Sequence, residues 1–197
     1  MSGPFKELIQ NQAKILRIDL RDDNYWWSTR MFLVAALAQD YTQVEALVFV
    51  RSGNEQNFVG IAAPRDVRRR LAKNFAADNY ESAYRKARAA VTDALEDHSS
   101  GVSAILNNWQ YAVDQTLGDE GYISHIVSSS KLRLWMRGDL DTQSVPAGPL
   151  TAHRQYRIIA HDRRYVALTN GIRLEGVVDR DELVVAAQME RRVGGAS

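Results

Sequence analysis

The sequence contains no cysteine, which removes a disulfide framework, a thiolate metal site and a thiol nucleophile at once. Only four prolines interrupt it, and no apolar run approaches membrane-spanning length; the longest, Met31 to Ala38, is far too short to cross a bilayer. A strong excess of either charge is also missing. The net charge of +1 argues against wholesale nucleic-acid binding, which usually shows a marked basic surplus. The first twenty residues lack the apolar core of a signal peptide. With 197 residues, 45% of them hydrophobic, the chain is long enough for one compact fold with a sizeable core. Together these point to a cytoplasmic protein with no membrane span, and no nucleic-acid partner is expected.

What is present is a short pattern that occurs twice. The first copy runs from Leu47 to Gly53 and from Phe58 to Val67; the second runs from Tyr165 to Gly171 and from Leu174 to Leu183. Each is an apolar run, a glycine turn, a second apolar run with an inner glycine, and an acid six positions further on: Gly60 to Asp66 and Gly176 to Glu182. Internal repeats decide architecture, so this pattern outranks any single residue. Apolar runs bounded by turn residues predict strands. Pro64 suits the first position of a helix, Asn170-Gly171 a tight hairpin, and Thr151 a helix cap.

Upstream, Ile15 to Leu20 reads as a strand. Ser28 or Thr29 can cap a buried helix through Ala38. Asp78-Asn79-Tyr80-Glu81 has the form of a capping box opening a long helix. Amphipathic spacing continues through Trp109 and again from Tyr122 to Trp135. Residues 138–148 read as loop. A helix of His153 to His161 should carry Tyr156, Ile158 and Ile159 inward. The expected class is α/β or α+β: two related helix–strand–hairpin–strand–helix units, 1–77 and 139–197, with a helical insertion at 78–138, all in one compact fold.

Each copy resembles the strand–hairpin–helix core of a CBS domain, the regulatory module that occurs in tandem pairs. The resemblance rests on Val59 to Val67 and Glu175 to Leu183, with Pro149-Leu150-Thr151 ahead of the second copy's helix, and covers about 45 residues per copy. It implies two repeats packed sheet against sheet, an adenine nucleotide or similar ligand between them, and a homodimer. By the same resemblance Asp66 and Glu182 accept from ribose hydroxyls, and Gly60 and Gly176 allow close backbone approach. The position that offers phosphate a hydroxyl in that family falls on Ala63 and Asp179, which offer none. A helix N-terminus presents free N–H groups and partial positive charge to an anion.

Other constellations compete. Trp26 and Trp27 cannot both face one core from a regular helix, so one is a candidate stacking platform beside the core-anchoring role. Arg65, Arg68, Arg69 and Arg70 form a basic face where an acidic partner or phosphate would dock if it is more than a solvated surface. Asp19, Asp22 and Asp23 read as a solvated turn, and no metal site is assigned. His161-Asp162 and the run Ser128 to Lys131 are the residues a small enzyme would use, but no catalytic set converges. The leading expectation is a non-catalytic regulatory or sensor module; a protein–protein adaptor is the alternative, and a small enzyme comes third.

Overall fold

The computed structural model describes residues 14–23, 26–52, 56–75, 80, 84–85, 88–89 and 125–194. The Gly53-Asn54 turn, Tyr25, Asp78 with its capping box and the helix through Trp109 lie outside them. Among the described residues the order is β1 (Ile15–Asp19), α1 (Ser28–Tyr41), β2 (Ala46–Ser52), β3 (Gln56–Ala62), α2 (Pro64–Asn74), α3 (Ser129–Met136), β4 (Ser144–Pro146), α4 (Ala152–Ile159), β5 (Tyr165–Asn170), β6 (Arg173–Asp179) and α5 (Arg180–Gly194). The fold is mixed α/β. Strand, helix, strand, strand, helix occurs twice, so each copy has a strand at its front: Ile15–Asp19, as the sequence suggests, and Ser144–Pro146, where the sequence reads as loop.

The six strands form a mixed sheet in the order β1-β2-β3-β6-β5-β4. The outer pairs β1–β2 and β4–β5 are parallel, and the hairpins β2–β3 and β5–β6 are antiparallel. The halves join at one narrow seam, Asn57 opposite Arg173, with Phe58 N donating to the Ile172 carbonyl at 2.8 Å. The sheet folds over at this seam, so that β2 and β5 face each other. Glu45, just before β2, accepts from the Tyr165 hydroxyl at the start of β5 at 2.9 Å, although two strands separate β2 from β5 in the sheet.

Strand alternation then sorts the apolar side chains into three cores. Leu47 and Phe49 join α1 and α2 in the first core. Ala46 and Val48, on the opposite face of β2, meet Tyr165 and Ala167 of β5 in the second. Val166, on the other face of β5, packs with Val145 and Ile158 in the third. Tyr80, Tyr84, Val127, Leu132 and Met136 all bury in the first core, so the described part of 78–138 packs directly on α1 and α2.

Local chemistry fixes the helix ends. Pro64 occupies the first turn of α2 behind an extended Ala63, with Asp66 in the first turn and Lys73 in the last, matching the helix dipole at both ends. Ser128 caps α3 by accepting from Lys131 N, and Thr151 caps α4 by accepting from Arg154 N. Neither Ser28 nor Thr29 caps α1: its cap is Trp27, without a side-chain bond. Ser28 is buried inside the helix instead, and its hydroxyl accepts from the Tyr80 hydroxyl at 3.2 Å and from His125 N at 3.0 Å. Ser28→Ala should therefore lower stability by about 1–2 kcal/mol, the cost of stranding buried donors, measurable as a lower urea midpoint.

Three further expectations change. Residues 144–146 form β4 rather than loop; the strand is short, ends on Pro146 and exists through pairing with β5, which adjacent sequence does not announce. Asn170 closes the second hairpin opposite Arg173, so its turn is Gly171-Ile172, with Gly171 at φ +60°. Tyr156 and Ile159 face solvent, Tyr156 with 70% exposure, while Ile158 is buried. Two positions along a helix are about 200° around it, so Tyr156 and Ile158 cannot share one buried side. No helix among the described residues is long and apolar enough to cross a membrane.

Candidate functional site

The repeated inner glycines have a structural origin. In the first hairpin Val50 pairs with Phe58 and Phe49 with Gly60, leaving Val59 as an extra residue. In the second, Thr169 pairs with Leu174 and Leu168 with Gly176, leaving Glu175 extra. Both glycines thus follow a β-bulge at the same place in each copy, where a bend and tightened twist favour a residue without a side chain. Their surroundings differ. A Cβ on Gly60 would lie 2.6 Å from Leu140 Cγ, whereas one on Gly176 would meet nothing within 4 Å. Gly60 therefore admits the chain's own Leu140, and the segment pairs on as Asp141 against Ile61, covering the free edge of β3.

Asp66 opens onto a cleft of about 250 Å³ where the β3–α2 connection meets the starts of β2 and β5. Its walls are Ala62 and Ala63 on one side, Arg163, Arg164 and Tyr165 on the other, with Glu45, Asp139 and Asp141 at the rim. The volume is just under the usual range for ligand pockets, roughly 300–1,000 Å³, and suits a small molecule or part of one.

The charges at this cleft are strongly organised. Arg164 donates to both oxygens of Asp179, at 2.8 to 3.2 Å, and also holds Glu45. The bond from Arg164 holds the Asp179 carboxyl well below the usual carboxylate range, burial notwithstanding, and Asp179 in turn keeps the guanidinium firmly protonated. Burial and the bond to Glu45 push the Tyr165 hydroxyl up. Burial opposes ionisation of Asp139, but the bond and charge of Arg70, reinforced by Arg69, outweigh it and hold that carboxyl low. Asp66 accepts from Arg69 at 3.2 Å.

The other expected site residues lie elsewhere. Glu182 sits at the start of α5 and pairs with Lys14 at 3.1 Å. Gly176 borders a second, wider groove with Arg17, Gln56 and Arg173, in which Arg17 donates to Gln56 at 2.8 Å. The Trp26 indole N–H donates to the Asp19 carbonyl at 2.6 Å, beneath the Arg30 guanidinium, and Trp27 forms an isolated bridge with Ile126. Neither tryptophan lines the cleft that holds Asp66. Asp19 is consumed by Ser52 and the backbone of Arg21, and Asp23 by Ser129; among the described residues no cluster of acids or histidines is placed to hold a metal ion.

His161 pairs with Asp141 rather than with its neighbour Asp162. Its Nε2 lies 3.6 Å from Asp141 Oδ2, and both side chains are more than nine-tenths buried. Its Nδ1 accepts from Arg163 N at 3.2 Å. Only Nδ1 is hydrogen-bonded; Nε2 and Asp141 Oδ2 face each other buried, closed to solvent and without a hydrogen-bond partner. A general base needs a nitrogen within reach of substrate; this pair offers none in the described geometry.

The walls that sequence reasoning missed are Glu45, Asp139 and Asp141. One signal existed: Glu45 stands just ahead of one repeat's first strand and Arg163-Arg164 just ahead of the other's, opposite charges at matching places. Nothing in the sequence tied the acids on either side of Leu140 to the start of α2. No family model, curated protein or solved structure matches the chain.

Proposed function

We propose that the chain is a non-catalytic regulatory or sensor module whose ligand, an adenine nucleotide or similar small molecule, occupies the cleft at the start of α2. The observation that carries this reading is the make-up of the cleft walls. Asp66 and Ala63 come from the first repeat and Arg163 to Tyr165 from the second. A ligand there touches both, so its binding favours one relative placement of the two halves over others, which a partner can read. The carboxylates of Asp66 and Asp139 suit the donors of a ribose or an exocyclic amine, and the α2 N-terminus and Arg163 offer an anionic group its partners. The matching acid of the second repeat, Glu182, pairs with Lys14 and does not line this cleft. One ligand per chain follows from this reading.

A thermal-shift screen with AMP, ADP, ATP, cyclic nucleotides and S-adenosylmethionine tests it. A ligand at ten times its dissociation constant should add about 1.4 kcal/mol, a rise of a few degrees at this size. Asp66→Ala should abolish the shift and Glu182→Ala should retain it. Absence of a shift with every compound, or a shift that survives Asp66→Ala, would overturn the reading.

A further inference from the structure

Of the four α2 arginines expected to form an outward basic face, Arg65 and Arg69 are exposed, while Arg68, Arg69 and Arg70 are engaged within the chain. Arg68 lies over the Tyr84 ring, 3.5 Å from its centroid, and reaches Gln39. Arg69 holds Asp66 and Asp139, and Arg70 holds Asp139 and donates to the Arg137 carbonyl at 3.0 Å. From the other side Arg163 donates to the Gly138 carbonyl at 2.8 Å. Three guanidinium groups thus converge on the turn that follows α3, and Asp139 is the carboxylate within that turn.

A second group of exposed cations lies at α3. Leu132 and Met136 anchor this helix in the core, while Lys131, Arg133, Leu134 and Arg137 are exposed. The helix contains no acid. Arg137 is the residue that ends the helix, four positions after Arg133, so the two cations lie about one helical turn apart along the chain. Leu134 lies beside them with 55% exposure. An exposed apolar side chain ringed by cations, on a helix pinned from behind, has the make-up of a protein interface: an apolar anchor within a polar rim.

We infer that the exposed face of α3 is a docking surface for an acidic segment of a protein partner, with carboxylates on Arg133 and Arg137 and an apolar side chain against Leu134. Charge complementarity selects the acidic partner. Several features select protein over nucleic acid. The chain's net charge is only +1. The strip runs about 12 Å, the length of an eight-residue helix, and matches a few residues of extended peptide. Its aromatic residue, Trp135, is turned edge-on to Phe75 with ring centroids 4.7 Å apart instead of standing open as a platform for bases. This surface is independent of the cleft and of whatever binds there.

The test is fluorescence anisotropy on the full chain at low salt with three labelled probes: a short polyglutamate peptide with one central leucine, the same peptide with a central serine, and an oligothymidylate of equal charge. The leucine peptide should bind more tightly than the other two. Arg133→Gln, which keeps a good helix former in α3, with Arg137→Gln at its end should weaken both peptides by about tenfold or more. Leu134→Ser should bring the leucine peptide down to the level of the serine peptide and leave the latter unchanged, a result that diffuse charge attraction cannot produce. Equal or tighter binding of the oligothymidylate, loss of the difference between the two peptides, absence of binding by either peptide, or indifference to these substitutions in a protein whose melting is unchanged would each overturn the inference.

Discussion

Arg164→Met will lower the stability of the protein by about 2–3 kcal/mol at neutral pH, the cost of leaving a buried carboxylate without its partner. The carboxylate is Asp179, whose side chain is only 7% exposed. Arg164 supplies bonds to both its oxygens, and among the described residues no lysine or second arginine is bonded to it. Methionine keeps an unbranched apolar stem, so the loss falls on the guanidinium, which also lies 5.2 Å from the Tyr165 ring centroid. Water reaches part of that guanidinium, which places the effect below the roughly 3–5 kcal/mol of a wholly buried pair. The position bridges three elements: Glu45 before β2, Asp179 at the end of β6 and the start of β5 itself. The cost should therefore appear as a loss of global stability, with the urea midpoint falling while the slope is kept.

The pH dependence of that loss has a definite sign. Asp179 has a folded pKa below its unfolded value, so its contribution is complete above the ordinary carboxylate range and disappears as pH falls through the folded value. The gap between wild type and Arg164→Met should be full at pH 7 and shrink below about pH 4. Asp139 and Asp19 are shifted in the same direction by Arg70 and Ser52, against burial, so the wild type itself should lose stability over the same acid window. A gap that stays constant from pH 7 to pH 3 would mean that Arg164 stabilises through packing alone.

The repeat was legible because it is written in local chemistry. Apolar alternation places β2, β3, β5 and β6, Pro64 starts α2, Thr151 caps α4, and the glycine beside Asn170 turns the second hairpin. What escaped was set by distant partners. β4 exists because β5 is there to pair with it, and Ser28 leaves its capping role because Tyr80 and His125 supply better-buried partners. The candidate site escaped in the same way. Asp66 could be singled out by its place in the first turn of a helix, but Asp139 and Asp141 reach it only because Leu140 fits against Gly60 and brings both along the edge of β3. Glu182 has the matching sequence position and a different environment, since Lys14 lies upon it.

Gly60 and Gly176 turn this distinction into an experiment, because the sequence treats them as equivalent and the structure does not. Gly60→Val should destabilise by about 3 kcal/mol, at the upper end of overpacking, and lower the melting temperature by roughly 6–12 °C. The Cβ alone falls 2.6 Å from Leu140 Cγ and 2.7 Å from Cδ1, and the Val methyl groups need further room. Leu140 is itself packed in the first core and flanked by the Asp139 bonds and the Asp141–Ile61 bridge, so it cannot withdraw without disturbing them. Gly176→Val meets open space, and valine favours an extended backbone, so that variant should stay near wild-type stability. If the two substitutions cost the same, the shared bulge accounts for both glycines and the fit of Leu140 contributes nothing of its own. If only Gly60→Val is costly, the contact that carries Asp139 and Asp141 to the cleft is a stabilising part of the fold, and Gly60→Val should also weaken any ligand whose binding depends on Asp66, through displacement of the 139–141 segment.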